Sequence, residues 1–289
     1  MRLVTYLHHG MTGVGITDAD ATRIRPLDQI DGTPIADMLV LIRDGLESAT
    51  PSVMRPMLAR AEVDLLAPIQ RPPRNLFCVG KNYRKHAQEF ADSGFDTASC
   101  TAIPPHPVVF SKLPSAVIGN RDSIHYPEGL SDALDYEAEL AVVIGRGGRG
   151  ITRAQAMSHV FGYTIVNDIT ARDWQQRHGQ WFLGKSFDTF CPMGPVLVTA
   201  DELDASALDI RCWVNGELRQ NANTRDLIFD IPTLIETISA GITLQPGDII
   251  ATGTPEGAGV GFRPPRFLQR GDEIAIEIEG VGRLVNDVF

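Results

Sequence analysis

The chain has 289 residues, 43% of them hydrophobic, and a formal net charge of -10. Its length and apolar content are sufficient for a sizeable core, and no run of about 18 apolar residues could span a membrane. Because the acidic excess leaves no cluster of lysine and arginine for phosphate contacts, the composition argues against nucleic acid as a partner. The four cysteines form no CxxC pair, which argues against a disulfide scaffold or a structural zinc site. Since the N-terminus lacks a signal-peptide hydrophobic stretch, we expect a cytoplasmic protein without membrane attachment.

The beginning of the chain predicts a small N-terminal α/β unit. Strand-like pieces precede a helical pattern from residue 35 to residue 46. The segment Arg71-Pro72-Pro73-Arg74 then favours extended backbone, because proline restricts the residue before it. We therefore predict a small domain over residues 1–70 and a larger one over residues 71–289.

A short helix is predicted over residues 83–90, where His86 and Glu89 lie three positions apart and can touch. A carboxylate beside an imidazole raises its basicity and fixes its tautomer, which is how a general base for water is assembled. For an isolated pair of this kind, a surface histidine beside a surface glutamate is the commoner explanation. A catalytic interpretation therefore depends on the surroundings of the pair.

Residues 135–145 place alternating carboxylates at the start of an apolar strand. Asp135, Glu137 and Glu139 share one face of that strand, because successive side chains point to opposite faces. Like charges beside a buried run either raise their pKa values or recruit a cation. All-oxygen ligation selects a hard cation, Mg²⁺ first, with Mn²⁺ and Ca²⁺ as further candidates. A solvated edge strand with charged side chains explains the spacing about as well.

Two further polar residues follow apolar runs. Asp168 stands where the run at residues 163–166 ends, and it joins Glu137 and Glu139 if the two strands are neighbours. Lys185 lies between an apolar run and a turn, where it can neutralise a carboxylate or an enolate. A snorkelling lysine at a sheet edge fits the local sequence equally well.

Residues 145–150 match the GxGxxG pattern of dinucleotide-binding loops. Against that interpretation, the strand entering the loop begins with Glu137 and Glu139, where a central parallel strand should be apolar. The following helical pattern also has its own cap at Thr152, and the chain lacks the strand and long-helix alternation of a doubly wound fold. A dinucleotide-dependent oxidoreductase remains a distant alternative.

Taken together, these motifs resemble the fumarylacetoacetate hydrolase family over about residues 74–288. The motifs, in chain order, are Val79-Gly80-Lys81-Asn82-Tyr83 with His86 and Glu89, Asp135-Tyr136-Glu137-Ala138-Glu139-Leu140, Asn167-Asp168-Ile169-Thr170-Ala171-Arg172-Asp173, Gly184-Lys185-Ser186-Phe187-Asp188-Thr189, and Pro246-Gly247-Asp248 with Thr252-Gly253-Thr254-Pro255-Glu256-Gly257. The resemblance implies an α+β fold with a mixed β-roll catalytic domain, commonly a homodimer.

The resemblance also implies roles for individual residues. It implies Mg²⁺ or Mn²⁺ held by Glu137, Glu139 and Asp168. It further implies a mobile lid that carries His86 and Glu89 as catalytic residues. Further positions that match substrate-facing residues of the family are Arg172, Gln175, Thr254 and the catalytic Lys185.

The family's shared chemistry leads us to expect a small anionic 2-oxo acid as substrate, whose carboxylate and keto oxygens chelate the metal. We expect a hydrolase that cleaves a C–C bond in an acylpyruvate such as fumarylpyruvate or maleylpyruvate, giving pyruvate and a second acid in the breakdown of aromatic compounds. Water activated by His86 and Glu89 would attack, while Lys185 holds the developing negative charge. The same enolate supports keto–enol or double-bond isomerisation and decarboxylation. The alternatives are therefore an isomerase of 2-hydroxy-diene dioates, an oxaloacetate decarboxylase, or a non-catalytic member whose metal only stabilises the fold.

Overall fold

The computed structural model describes residues 1–95 and 103–289, and it confirms the predicted α+β class. Within these residues lie 20 strands and five α-helices. The helices of this described part are all too short or too polar to cross a membrane. Cys78, Cys191 and Cys212 are buried free thiols, and Cys100 lies outside the described residues.

The N-terminal part consists mainly of short strands, as the sequence predicts. Its elements are β1 (Arg2–His8), β2 (Met11–Thr17), β3 (Arg23–Gln29), α1 (Met38–Asp44), β4 (Ala49–Pro51), β5 (Leu58–Ala59) and β6 (Asp64–Leu65). The helix α1 begins at Asp37, whose side chain accepts a hydrogen bond from the Leu39 amide at 2.9 Å. The division at residue 70 stays a prediction.

The rest of the chain is also dominated by strands. Its elements are β7 (Leu76–Gly80), α2 (Arg84–Asp92), β8 (Val108–Lys112), β9 (Val117–Ile118), β10 (Leu134–Asp135), β11 (Ala138–Ile144), β12 (Val160–Asn167), β13 (Thr170–Ala171), α3 (Arg172–Arg177), α4 (Phe182–Lys185), β14 (Cys191–Pro192), β15 (Leu197–Thr199), β16 (Asp209–Val214), β17 (Glu217–Asn223), α5 (Ile231–Ser239), β18 (Ile249–Ala251), β19 (Glu273–Ile278) and β20 (Gly282–Asp287).

One large mixed sheet joins both parts of the chain. Its strands run in the order β4-β3-β2-β1-β15-β12-β11-β18-β7-β8, with β5 attached to β3 and β6 to β1. The strands β7 and β18 pair in parallel, and the other named neighbours pair antiparallel. Because β1 pairs with β15, the N-terminal strands extend the sheet that contains β11 and β12.

The central strand β11 is buried on both faces, which explains why its sequence is apolar apart from Glu139. Side chains on opposite faces of β11 belong to different core clusters. Leu140 and Val142 lie in one cluster, and the alternating residues Ala141 and Val143 lie in the other. The first cluster also contains residues of a second sheet, in the order β17-β16-β19-β20. Asn215-Gly216, a pair typical of two-residue hairpin turns, joins β16 and β17, with φ of 51° and 78° at its two residues.

The antiparallel pairing of β11 argues against the dinucleotide interpretation. This strand is antiparallel to both of its neighbours, β12 and β18, whereas a dinucleotide crevice forms at the carboxyl ends of parallel strands. The loop after β11 does not open an α-helix. Only a single 3₁₀ turn forms, over Ala156–His159, and the Thr152 hydroxyl donates to the Gln155 side-chain oxygen at 3.0 Å.

The strand predicted over residues 135–145 is interrupted at Tyr136 and Glu137. The Tyr136 amide donates to Asp135 Oδ1 at 2.9 Å, and the Glu137 amide donates to Asn167 Oδ1 at 3.0 Å. Side chains therefore replace the backbone partners of a continuous ladder at this point. As a consequence β10 pairs with β13, while β11 pairs with β12.

Gly162 is expected to be essential where β12 meets β15. A Cβ atom at this position would lie 2.2 Å from the Val198 carbonyl oxygen, a backbone atom that cannot move aside. We expect Gly162→Ala to lower the free energy of unfolding by about 1–3 kcal/mol, measured by urea denaturation. Gly241→Ala is the matched control, because open space surrounds that glycine. Equal stability of the two variants would contradict this account.

Candidate active site

Two antiparallel strands bring the predicted metal ligands together. In the register of β11 and β12, Ala138 lies opposite Asn167, so the start of one strand meets the end of the other. The Asp168 amide donates to the Glu137 carbonyl oxygen at 2.9 Å. As a result, carboxylate oxygens of Glu137, Glu139 and Asp168 lie within 4.8 Å of one another, and all three residues are buried.

Buried cations contact two of these three carboxylates. Lys185 Nζ lies 2.5 Å from Glu137 Oε2 and 2.8 Å from Asp168 Oδ2. Arg172 Nη2 lies 2.6 Å from Glu137 Oε1. Glu139 Oε2 accepts a hydrogen bond from the Gly253 amide at 2.8 Å, in the turn that follows β18. Each carboxylate is therefore held in place by a group from a different element.

The surroundings separate the pKa values of the two glutamates. Burial acts to raise the pKa of Glu137, but the positive charges of Lys185 and Arg172 outweigh it and hold that pKa below its usual range. The pKa of Glu139 is raised well above its usual range, first by burial and then by the negative charges of Asp168 and Glu137. The negative charge at Glu139 is therefore only partly offset by its neighbours.

These residues fit a divalent cation. All three side chains offer oxygen, the ligand atom that Mg²⁺, Mn²⁺ and Ca²⁺ prefer. The raised pKa of Glu139 shows that further positive charge would be stabilising beside it. That the three residues bind a metal stays a prediction, and the identity of the ion does as well.

Asp135 lies outside this group of three and supports Arg172 instead. Its carboxylate accepts hydrogen bonds from Arg172 Nε at 2.8 Å and from the amides of Gly259 and Val260 at 2.7 and 3.0 Å. The strand interruption at residues 136 and 137 separates it from Glu137 and Glu139. Asp135 is thus a structural anchor for a cation of the site.

The predicted pair of His86 and Glu89 is in contact on α2. His86 Nδ1 lies 3.2 Å from Glu89 Oε2, and His86 is only 4% exposed, so this is not a surface pair. Glu89 Oε1 also accepts from the Gly257 amide at 3.1 Å. The glycine-rich turn after β18 therefore presents its N–H groups to carboxylates of this chain, at Glu139 and Glu89.

One pocket collects most of the predicted site residues. Those that line it are His86, Glu137, Glu139, Arg172, Gln175, Lys185 and Thr254. The other two, Glu89 and Asp168, contact lining residues from behind. The free volume enclosed among the lining residues is about 20 Å³, room for about one water molecule, so a larger ligand enters only when lining side chains move apart. The roles assigned to these residues stay predictions.

Sequence reasoning missed several residues of this region. Lys112, at the end of β8, is fully buried, and its Nζ donates to Asp168 Oδ1 at 2.7 Å, to Ile169 O at 2.9 Å and to the Lys185 carbonyl oxygen. A lysine that ends an apolar strand is typical of a solvated edge, so its sequence carries no signal of burial. Other lining residues that were not predicted are Lys81, Phe90, Phe110 and Trp181.

Comparisons with known proteins agree with this geometry. The model of the fumarylacetoacetate (FAA) hydrolase C-terminal family matches residues 75–289. An oxaloacetate tautomerase of Bacillus subtilis is 53% identical over 80% of this chain and 75% of its own length. A mitochondrial oxaloacetate tautomerase of Bos taurus is 43% identical over 100% of this chain and 91% of its own length.

Two solved structures cover the whole of this chain. A fumarylacetoacetate hydrolase from psychrophilic Exiguobacterium antarcticum has a TM-score of 0.84 and 41% identity, over 100% of this chain and 99% of that one. A 2-hydroxyhepta-2,4-diene-1,7-dioate isomerase from Mycobacterium marinum has a TM-score of 0.79 and 34% identity, over 100% and 98%. The predicted fold and family resemblance are confirmed.

We predict that Asp168→Asn abolishes the rise in melting temperature that Mg²⁺ or Mn²⁺ produces, because binding to the folded state alone stabilises it by mass action. Asp248→Asn is the matched control. Asp248 is equally buried but pairs with Arg74 away from the acidic group, so this variant should keep the metal-dependent rise. An undiminished rise in Asp168→Asn, measured by differential scanning calorimetry, would rule out the predicted ligand set.

Lys112→Met should lower the free energy of unfolding by about 3 kcal/mol, because it removes one of the two buried cations on Asp168 and leaves the buried Ile169 and Lys185 carbonyl oxygens without this donor. Chemical denaturation measures the loss. Lys85→Met serves as control, since Lys85 is exposed and pairs with Glu256 in solvent, and its substitution should change stability little. If both variants unfolded at the same denaturant concentration, Lys112 would have no such role.

Proposed function

This chain belongs to the fumarylacetoacetate hydrolase family, and we propose that it is an oxaloacetate tautomerase that interconverts the keto and enol forms of this short 2-oxo acid. The observation that carries the proposal is the pocket, where a buried imidazole with its own carboxylate partner lines the same space as buried cations and acids. The names of the relatives at 53% and 43% identity support it.

The prediction of a hydrolase that cleaves acylpyruvates is wrong. The similar sequences are named for tautomerisation of oxaloacetate, a reaction in which no C–C bond breaks. The alternative functions considered for the sequence agree better with the names of these relatives, since they included keto–enol isomerisation and an enzyme acting on oxaloacetate. The physical reason for the error is that His86 and Glu89 can move a proton to or from carbon as well as activate water, so their presence does not select hydrolysis.

In this proposal Glu137, Glu139 and Asp168 hold the divalent cation that enzymes of this family generally use. When bound, the cation would stabilise the negative charge that develops on the 2-oxo oxygen as the neighbouring carbon loses its proton. Lys185 adds a second positive charge at this end of the pocket, because its ammonium already contacts two of the carboxylates. Burial strengthens both interactions.

The remaining polar groups would bind and orient the substrate. Arg172 is fixed by Asp135 from one side and by Glu137 from the other, so its guanidinium is preorganised for a carboxylate. Gln175 lies beside it, with Oε1 accepting from Arg172 Nη1 at 3.2 Å. Thr254 is held by Gln220, whose Nε2 donates to its hydroxyl at 2.8 Å.

The proton would be carried by His86. Its Nδ1 faces Glu89, which leaves Nε2 as the ring nitrogen for the substrate carbon. Glu89 is itself fixed by the Gly257 amide, so the imidazole keeps one orientation above the pocket. Tautomerisation needs only that a proton leaves C3 and a proton is added to the 2-oxo oxygen, or the reverse, while the substrate stays bound. The predicted homodimer and cytoplasmic location stay predictions.

His86→Ala should lower the rate of enol-to-keto conversion of oxaloacetate by about 100-fold or more, since a positioned base contributes about 10²–10⁴-fold. Ultraviolet absorbance of the enol, with Mg²⁺ present, measures the rate, and exchange of the C3 protons in heavy water confirms the atom involved. His159→Ala is the control, because His159 is a buried histidine that bonds the Arg146 carbonyl oxygen outside the pocket.

Product analysis distinguishes the reactions of the shared scaffold. We expect no pyruvate or CO₂ beyond the spontaneous rate from oxaloacetate. Enzyme-dependent CO₂ release without faster tautomerisation would replace the proposal with a decarboxylase. Interconversion of 2-hydroxyhepta-2,4-diene-1,7-dioate without any effect on oxaloacetate would favour the isomerase activity named for the Mycobacterium marinum neighbour.

A further inference from the structure

The pocket has an aromatic end beside its charged groups. Trp181, Phe90 and Phe110 line it together with the polar residues, and Trp181 is only 7% exposed. The indole of Trp181 makes edge contacts with both phenyl rings, at centroid distances of 5.9 Å to Phe90 and 5.2 Å to Phe110. No role in proton transfer or metal binding follows for these three rings.

Both phenyl rings contact the charged groups as well as the indole. Phe110 has Lys185 Nζ 5.1 Å from its centroid, and Phe90 has Arg172 Cζ at 5.6 Å. Trp181 and the two phenyl rings therefore form one aromatic boundary of the pocket.

The distance between the two ends is set by one helical turn. Trp181 precedes α4 and Lys185 is its last residue, and the Lys185 amide donates to the Trp181 carbonyl oxygen at 3.1 Å. Residues four apart on a helix lie on the same face, about 5–6 Å apart. From this one turn, the Lys185 side chain contacts the carboxylates of Glu137 and Asp168, and the Trp181 side chain contacts the two phenyl rings.

Gly80 makes room for the indole. A Cβ atom at this position would lie 2.2 Å from Cζ3 and 2.7 Å from Cη2 of Trp181, although the backbone of Gly80 does not require glycine for its own conformation. The absence of a side chain at residue 80 therefore allows Trp181 to fill the space between β7 and the two phenyl rings.

We propose that Trp181 is a specificity-determining residue that limits the length of the substrate, so that the pocket accepts four-carbon 2-oxo acids and excludes longer chains such as seven-carbon dienedioates. This inference rests on the proposed function for the identity of the short acid. Its length limit, however, concerns binding and does not require turnover. It also explains how a chain with the fold of a dienedioate isomerase can differ from it in substrate size.

The test compares ligands of increasing length that do not need to react. Binding of oxalate, 2-oxoglutarate and 2-oxoadipate is measured by isothermal titration calorimetry with Mg²⁺ present, on the wild type and on Trp181→Leu. We expect Trp181→Leu to tighten binding of 2-oxoadipate by about tenfold and to change binding of oxalate by less than about threefold, since one or two methylenes in a pocket change affinity by this order.

Trp213→Leu is the matched control, because Trp213 is an indole of β16 that packs under Arg283 in the second sheet. It should leave the length preference of the wild type unchanged. If Trp181→Leu does not fold, Trp181→Phe provides the same comparison with a smaller expected gain. Gly80→Ala should shift the preference in the opposite direction, since it pushes the indole into the pocket.

An unchanged length preference in the folded Trp181 variants would overturn the proposal. The outcome is separable from that of the proposed function. If the Trp181 variants change the relative affinities for short and long ligands but the protein does not tautomerise oxaloacetate, the length limit stands and the proposed activity is rejected. If the protein tautomerises oxaloacetate but the variants leave these relative affinities unchanged, the activity stands and the length limit is rejected.

Discussion

The burial of four carboxylates at one corner of the molecule is the constraint on which the rest of the site depends. Asp135, Glu137, Glu139 and Asp168 are each at most 4% exposed. Charges removed from water in this way are tolerated only when paired and hydrogen-bonded. The structure meets the requirement with the buried cations Arg172, Lys185 and Lys112 and with backbone amides. The raised pKa of Glu139 marks the place where this compensation is incomplete.

The groups that meet this requirement come from separate elements. The carboxylates stand on the β11 and β12 corner, whereas Arg172 begins α3, Lys185 ends α4 and Lys112 ends β8. The Lys112 ammonium bonds both Asp168 and the Lys185 carbonyl oxygen, so it ties α4 to the acidic corner. Because α4 also determines the place of Trp181, the electrostatic arrangement and the size of the pocket are coupled through one short helix.

Local patterns explain why much of the fold could be predicted. Apolar strands, the Asn215-Gly216 hairpin and the helices near residues 38, 84 and 231 follow from periodicity and turn chemistry, which act over a few residues. The break at Tyr136 and Glu137 could not be predicted in the same way, since it depends on the amide oxygen of Asn167, about 30 residues away in the chain.

The sequence by itself determined the family, because the spacing of several motifs in order is more specific than any one of them. Through that resemblance it also named most of the polar residues that line the pocket. Tertiary structure decided that Asp135 accepts a hydrogen bond from Arg172, that Lys112 donates one to Asp168, and that Trp181 packs against Phe110 at the aromatic boundary of the pocket. These contacts depend on strand register and long-range packing, and the residue types alone do not encode them. The side chains of the pocket do not by themselves choose among proton transfer, hydrolysis and decarboxylation, because one set of groups serves all three.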